Sequence, residues 1–167
     1  MQMFQAKERL ESKCILHVQA AAASPRLEHS LGEGVAAQVR RMGFHATTEE
    51  ACPNSGYNLD VCLSASADAP PELQPPAIDG HRGWVLEVDR PSHYLAGSRT
   101  RRDGRWNLRA AHLARLGYTL IVLPHWEWTQ QLALPDDKLQ GYLHTKLVAA
   151  FRAAAERAQA EAIARGY

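Results

Sequence analysis

The chain has 167 residues, 46% of them hydrophobic and 22% charged, with a net charge of +1. That length and composition suit one globular domain with a buried core and exclude a wholly disordered or fibrous chain. No apolar run approaches the roughly 18 residues that a membrane span needs, so no membrane partner is expected.

Residues 4–22 are strong helix formers without Gly or Pro, which predicts a helix. Lys7, Glu8, Arg9, Glu11 and Lys13 interrupt any apolar stretch there, against a secretory signal, and the two acids weaken a transit-peptide reading, which leaves open a transit peptide already removed. Ser24-Pro25 is a helix start, with Ser at the N-cap and Pro at the first helical position. The helix it opens is predicted from about Arg26 to Met42, with Leu27, Leu31, Val35 and Val39 on one stripe and Gly43 as its stop. A short strand follows at Phe44–Thr48, then a dense turn, CPNSG, at 52–56. The next strand, YNLDVCL (57–63), alternates Leu59, Val61 and Leu63 with Asn58, Asp60 and Cys62. Residues 64–82 are proline-rich and aperiodic, which predicts a surface loop or mobile insert.

WVLEVD (84–89) is nearly continuous and apolar, the pattern of a strand covered on both faces. A helix is predicted over Asn107–Leu116 with Leu108, Ala111 and Leu116 inward and Gly117 closing it. TLIVL (119–123) is a second buried strand, after which Pro124-His125-Trp126-Glu127-Trp128 reads as a packing wedge at the sheet edge. From about Pro135 to Arg165 the chain is helical and ends Ala-rich. The order predicts an α/β domain whose mixed sheet is flanked by helices, the last one long. Three cysteines, Cys14, Cys52 and Cys62, with no C-x-x-C pair, favour reduced thiols over a disulfide framework or zinc knuckle.

Two apolar strands carry acids. Glu87 and Asp89 are two apart and share a strand face, and Asp60 joins them if its strand lies alongside. An unpaired buried carboxylate is costly. The three therefore either form an oxygen-rich site for Mg²⁺, suited to metal-assisted attack on a phosphodiester, or are salt-bridged by nearby arginines. His93, four residues beyond Asp89, is a candidate ligand or general base. Between residues 90 and 115 the charges are seven arginines (Arg90, Arg99, Arg101, Arg102, Arg105, Arg109, Arg115) and one aspartate, Asp103, with Tyr94 and Trp106 interleaved. Arginine forks phosphate and aromatics stack on bases, so this segment reads as a nucleic-acid-facing edge.

The combination WVLEVDRPSHY (84–94), ARLGY (114–118), LIVLPHWEW (120–128) and YLHTKL (142–147) resembles the RAP domain, an RNA-binding module. The strand-borne Asp of YNLDVCL fits the same resemblance, which covers about residues 25–150. It implies a restriction-endonuclease-like core, similar to very-short-patch-repair endonucleases, and a role in organellar RNA, in mitochondria or alternatively chloroplasts. Carried across, Asp60, Glu87, Asp89 and His93 occupy the catalytic positions, the first three would hold Mg²⁺, and Glu33 is a candidate for the helical acid. Two departures stand out: Arg90 replaces the usual Gly after E-V-D, and the nuclease lysine is absent.

The domain plan is thus an N-terminal helix (1–23), a RAP-like domain (24–150, with the proline-rich loop at 64–82) and a C-terminal helical extension (151–167). The expected function is RNA binding in organellar gene expression without catalysis, through Arg90, Arg99, Arg101, Arg102, Arg105, Trp106 and Arg109. The alternatives are a divalent-metal-dependent endoribonuclease and a structural rRNA-binding component of a mitochondrial ribosome, held to ribosomal proteins by the terminal helices.

Overall fold

The four strand segments assemble into one sheet in the computed structural model of the chain, which describes residues 24–66 and 69–166. The helix expected over 4–22 lies outside the described residues, as does the side chain of Leu27. Two units are distinguished, residues 1–31 and 32–167. The described part of the first is the opening of helix α1 (Ser24–Arg41), and everything from Gly32 onward belongs to the second. Within the second unit, α1 buries Val35, Ala36 and Val39 completely, the inward stripe of an amphipathic helix.

Strands β1 (Phe44–Ala51) and β2 (Asn58–Ala65) form an antiparallel hairpin from Phe44↔Ala65 to Ala51↔Asn58. β2 pairs antiparallel with β3 (Gly83–Val88), and β3 pairs parallel with β4 (Tyr118–Leu123) from Gly83↔Tyr118 to Val88↔Leu123. A parallel pair needs a crossover, and α2 (Gly104–Arg115) supplies it. Then come α3 (His125–Gln131) and the long α4 (Asp136–Ala164). The architecture is the mixed α/β sheet flanked by helices that the sequence predicts, with order β1-β2-β3-β4.

Four local features differ from expectation. Leu59, Val61 and Leu63 are all buried, but Leu59 packs with Cys52, Val85 and Leu113, and Cys62 packs against that same cluster. Strict alternation therefore breaks between positions 59 and 62; Glu49, on the paired strand, has φ 53° at this point. The described part of the proline-rich segment is a largely exposed loop, as the first of its two readings has it, and it is pinned at two points. Its Pro71–Leu73 turn lies against α4 and buries Leu73, while the Gln74 amide donates to the carbonyls of Ser66 and Ala69.

α2 starts three residues earlier than predicted, because the Asp103 side chain caps it by accepting from the Trp106 N–H at 2.7 Å. Its inward side also differs: Leu108 is 56% exposed and Ala111 is exposed, whereas Leu113 is fully buried. The partly or fully buried positions are Trp106, Arg109, Ala110 and Leu113, at i, i+3, i+4 and i+7. An arginine sits on that face because it meets a buried acid. Finally, the segment after Pro124 is helical, and Trp128 at its centre is 1% exposed.

On the other side of the sheet the Trp84 and Phe151 rings meet edge-on at 4.6 Å, and Phe44 lies 6.3 Å from Phe151. This ties α4 to β1 and β3. Gly117, between α2 and β4, has φ 90°, and a Cβ there would lie 2.7 Å from the Gly80 carbonyl oxygen. Its own carbonyl accepts from Arg82 N–H at 2.9 Å, so the proline-rich segment is stitched to the crossover at a point where only glycine fits.

Candidate nucleic-acid interface

β3 carries the acids to the end of the sheet next to α2. Glu87 and Asp89 are each 1% exposed. Two carboxylates so deeply buried need cations or donors, and arginines supply them. The Arg109 guanidinium forks Glu87, donating to Oε2 at 2.5 Å and Oε1 at 2.8 Å, and also donates to the Asn58 carbonyl. Its own face lies 6.0 Å from the Tyr57 ring. Arg102 donates to Asp89 Oδ2 through Nε at 3.1 Å and Nη2 at 2.9 Å. Asp89 Oδ2 also accepts from the Tyr94 hydroxyl, while Oδ1 lies 2.6 Å from His93 Nδ1 and accepts from the Arg90 N–H at 3.2 Å.

Asp60 does something different. The β2–β3 pairing ends at Val61↔Leu86, and the next donor, the Val88 N–H, goes to Asp60 Oδ2 at 2.9 Å. Its other oxygen lies 3.9 Å from Arg90 Nη2. The Asp60 side chain thus substitutes for the missing ladder carbonyl. Glu33, the helical candidate, accepts from Thr48 Oγ1 and lies 3.5 Å from Arg40 Nη1.

The electrostatics follow from these contacts. Burial pushes the Glu87 carboxyl up to about 7, with the Asp60 charge adding to the rise and Arg109 opposing it. Burial also raises Asp60, against the pull of Arg90 and Arg109. For Asp89 burial is outweighed by the donors His93, Tyr94 and Arg102, and the carboxyl stays below its ordinary range. Burial and the Asp89 acceptor push the Tyr94 hydroxyl up to about 12, so it remains a donor. Each buried acid is met by a guanidinium. Among the described residues no group of three or more His, Cys, Asp or Glu is placed to hold a metal ion. As arranged, the three acids do not offer Mg²⁺ a shared set of free oxygens: Arg109 forks Glu87, Asp89 meets Arg102, Tyr94, His93 and the Arg90 N–H, and Asp60 accepts from the Val88 N–H.

The seven arginines therefore divide. Arg90, Arg102 and Arg109 face the carboxylates, whereas Arg99, Arg101, Arg105 and Arg115 are exposed and form no ion pair among the described residues. One face of the Trp106 ring is covered: the Arg102 guanidinium lies 4.1 Å from its ring centre and 5.3 Å from that of Tyr94. Sequence reasoning missed Tyr94 as a ligand of Asp89. It also missed Arg109 as an inward residue, although the 106/109/113 spacing carried that signal.

The acidic hub and its arginines, from Glu87 to Arg109, lie on one stretch of chain that continues through β4 and α3 into α4. Residues 86–146 match the RAP domain. The match includes every contact of Glu87 and Asp89 with arginine and omits Asp60, α1, β1 and β2. The chain is also similar to FAST kinase domain-containing protein 5, mitochondrial, of Mus musculus, with 31% identity over 75 residues. That similarity spans 45% of this chain and 9% of the mouse protein. The matched segment thus holds Glu87, Asp89, the arginines that face them and the exposed Arg99, Arg101, Arg105 and Arg115.

Proposed function

We propose that this protein binds RNA in mitochondrial gene expression and does so without catalysis. The observation that carries the reading is the division of the arginines. Three neutralise buried carboxylates, and Arg99, Arg101, Arg105 and Arg115 remain at the surface of a protein whose net charge is only +1. Exposed guanidinium groups fork phosphates, and the RAP match supports RNA as the polyanion. The mitochondrial location is supported by the name of the mouse relative.

The test is an RNA-binding titration across salt, run in EDTA, Mg²⁺ and Mn²⁺. Four phosphates gripped at about 0.7 each give a fall of about three decades in affinity per decade of salt. A flat response sinks the proposal. The competing reading is a ribonuclease that uses Asp60, Glu87, Asp89 and His93, and it requires Arg109 and Arg102 to leave their carboxylates. Metal-dependent cutting that disappears in an Asp60→Asn/Asp89→Asn variant would replace the non-catalytic reading with that one. Co-sedimentation with ribosomal subunits through high salt would assign the RNA to the ribosome.

A further inference from the structure

Asp89 sits at the root of a closed loop. After β3, the chain makes a turn at Pro91–His93 and runs out to Ser98 before returning to Asp103. The two arms are held together like a short hairpin. Tyr94 and Arg102 form an antiparallel bridge, the Leu95 N–H donates to the Arg101 carbonyl at 2.9 Å, and the Asp103 N–H donates to the His93 carbonyl at 2.8 Å. At the tip Ser98 Oγ accepts from the Arg101 N–H at 2.9 Å and from the Thr100 N–H at 3.2 Å. The exposed side chains Arg99 and Arg101 are carried here, and Arg105 follows one turn later, past the Asp103 cap.

Both arms converge on one carboxylate. Asp89 takes His93 and Tyr94 from the outgoing arm and Arg102 from the returning arm. Tyr94 is 8% exposed and its ring meets Trp126 at 5.0 Å, so the anchor is packed as well as hydrogen-bonded. Asp89 is 1% exposed, and both of its oxygens meet these partners. It ties two points thirteen residues apart, positions 89 and 102, and through them sets the shape in which Arg99 and Arg101 are shown.

We infer that Asp89 is a positioning residue for RNA: it clamps both arms of the 90–103 loop and so presents Arg99 and Arg101, beside Arg105 on the first turn of α2, as a preformed phosphate-gripping surface. The inference rests on the RNA-binding reading above and names the segment that does the gripping. A loop held in its binding shape loses little conformational freedom on binding, whereas a loosened one binds only from the fraction of time spent in that shape.

The experiment compares the full chain with Asp89→Asn and Tyr94→Phe, reading two things. Limited trypsin digestion, mapped by mass, reports the loop directly through cleavage after Arg99 and Arg101. RNA binding reports its presentation. In Asp89→Asn, cleavage at those two sites should accelerate relative to the other arginines, and, if the loop keeps its shape about a tenth of the time, RNA affinity should fall about tenfold. Tyr94→Phe, which removes one donor and keeps the ring, should give a smaller change of the same kind.

A rescue separates positioning from general damage. Placing Tyr94→Cys and Arg102→Cys on the bridged pair in the Asp89→Asn background closes the loop covalently, since paired antiparallel residues lie within disulfide range. Affinity should return when the pair is oxidised and fall again on adding reductant. Unchanged cleavage at Arg99 and Arg101 in Asp89→Asn overturns the inference, as does faster cleavage with unchanged RNA affinity. If the wild-type chain fails to bind RNA while Asp89→Asn still loosens the loop, the clamp stands and the RNA-binding reading has failed.

Discussion

Arg109 determines what the acidic cluster can be. Its side chain is 19% exposed and that of Glu87 is 2% exposed, so this ion pair is largely shielded from water. Removing one partner of a buried pair leaves a desolvated charge behind, at a cost of about 3–5 kcal/mol. Arg109→Met is expected to destabilise the protein by that order in urea denaturation above pH 7, and by less at lower pH, where Glu87 takes up a proton. The double variant Glu87→Met/Arg109→Met is expected to recover most of the loss, because no unpaired charge remains. A double variant no more stable than the single one would show that Arg109 contributes mainly through Asn58 and Tyr57.

The same carboxyl sets a pH dependence. The folded-state value of Glu87, about 7, lies above its ordinary 4.5, so the folded protein holds this proton more tightly than the unfolded chain. The stability contributed by the group is therefore complete below about 4.5 and is lost as pH rises through about 7. Asp60, also raised, acts in the same direction, whereas the depressed Asp89 contributes stability that is lost as the solution is acidified below its ordinary range. Unfolding measured from pH 4.5 to 7 is expected to show wild type losing stability relative to Glu87→Gln across that window. Parallel curves for the two proteins would assign the pH dependence elsewhere.

Among the elements, the α2 crossover organises the site. Its Asp103 cap fixes where the helix begins, its inward face delivers Arg109 and Leu113, and Gly117 turns the chain into β4. A Cβ at position 117 meets both a left-handed φ and the Gly80 carbonyl oxygen at 2.7 Å. Gly117→Ala is expected to cost about 2 kcal/mol or more, read as a lower denaturation midpoint with an unchanged urea slope. An unchanged midpoint would mean that the 80–82 segment moves aside freely. This glycine was legible in the sequence as a helix stop, but its second duty was not, because Gly80 lies 37 positions away along the chain. The inner face of α2 was misread for a related reason. Periodicity weighs apolar residues, and the face holds an arginine whose burial makes sense only once Glu87 is opposite it.

For the molecule as a whole, charge is sorted rather than accumulated. A net charge of +1 conceals an arginine-rich segment in which Arg90, Arg102 and Arg109 neutralise interior acids and the other arginines face outward. Replacing Arg99, Arg101 and Arg105 with Gln is expected to lower the salt slope of RNA binding by about 0.7 for each phosphate no longer gripped, with folding unchanged. If the slope holds, the phosphates are gripped on another face.

What the chain determined by itself was local or statistical: the four strand segments, the helices that open near Ser24, Gly104 and Asp136, the mixed α/β class, the RAP-like motifs and the segregation of arginine between positions 90 and 115. These depend on nearest neighbours, on periodicity and on composition, all of which are written along the sequence. It also posed the question of Asp60, Glu87 and Asp89 correctly, since acids inside apolar strands must find a counter-charge. Which counter-charge they find was decided by tertiary structure alone. A divalent ion and an arginine both satisfy a buried carboxylate, and the choice depends on whether folding brings a guanidinium within about 3 Å. Arg109 and Arg102 arrive there from 22 and 13 residues away, and that approach is made by folding.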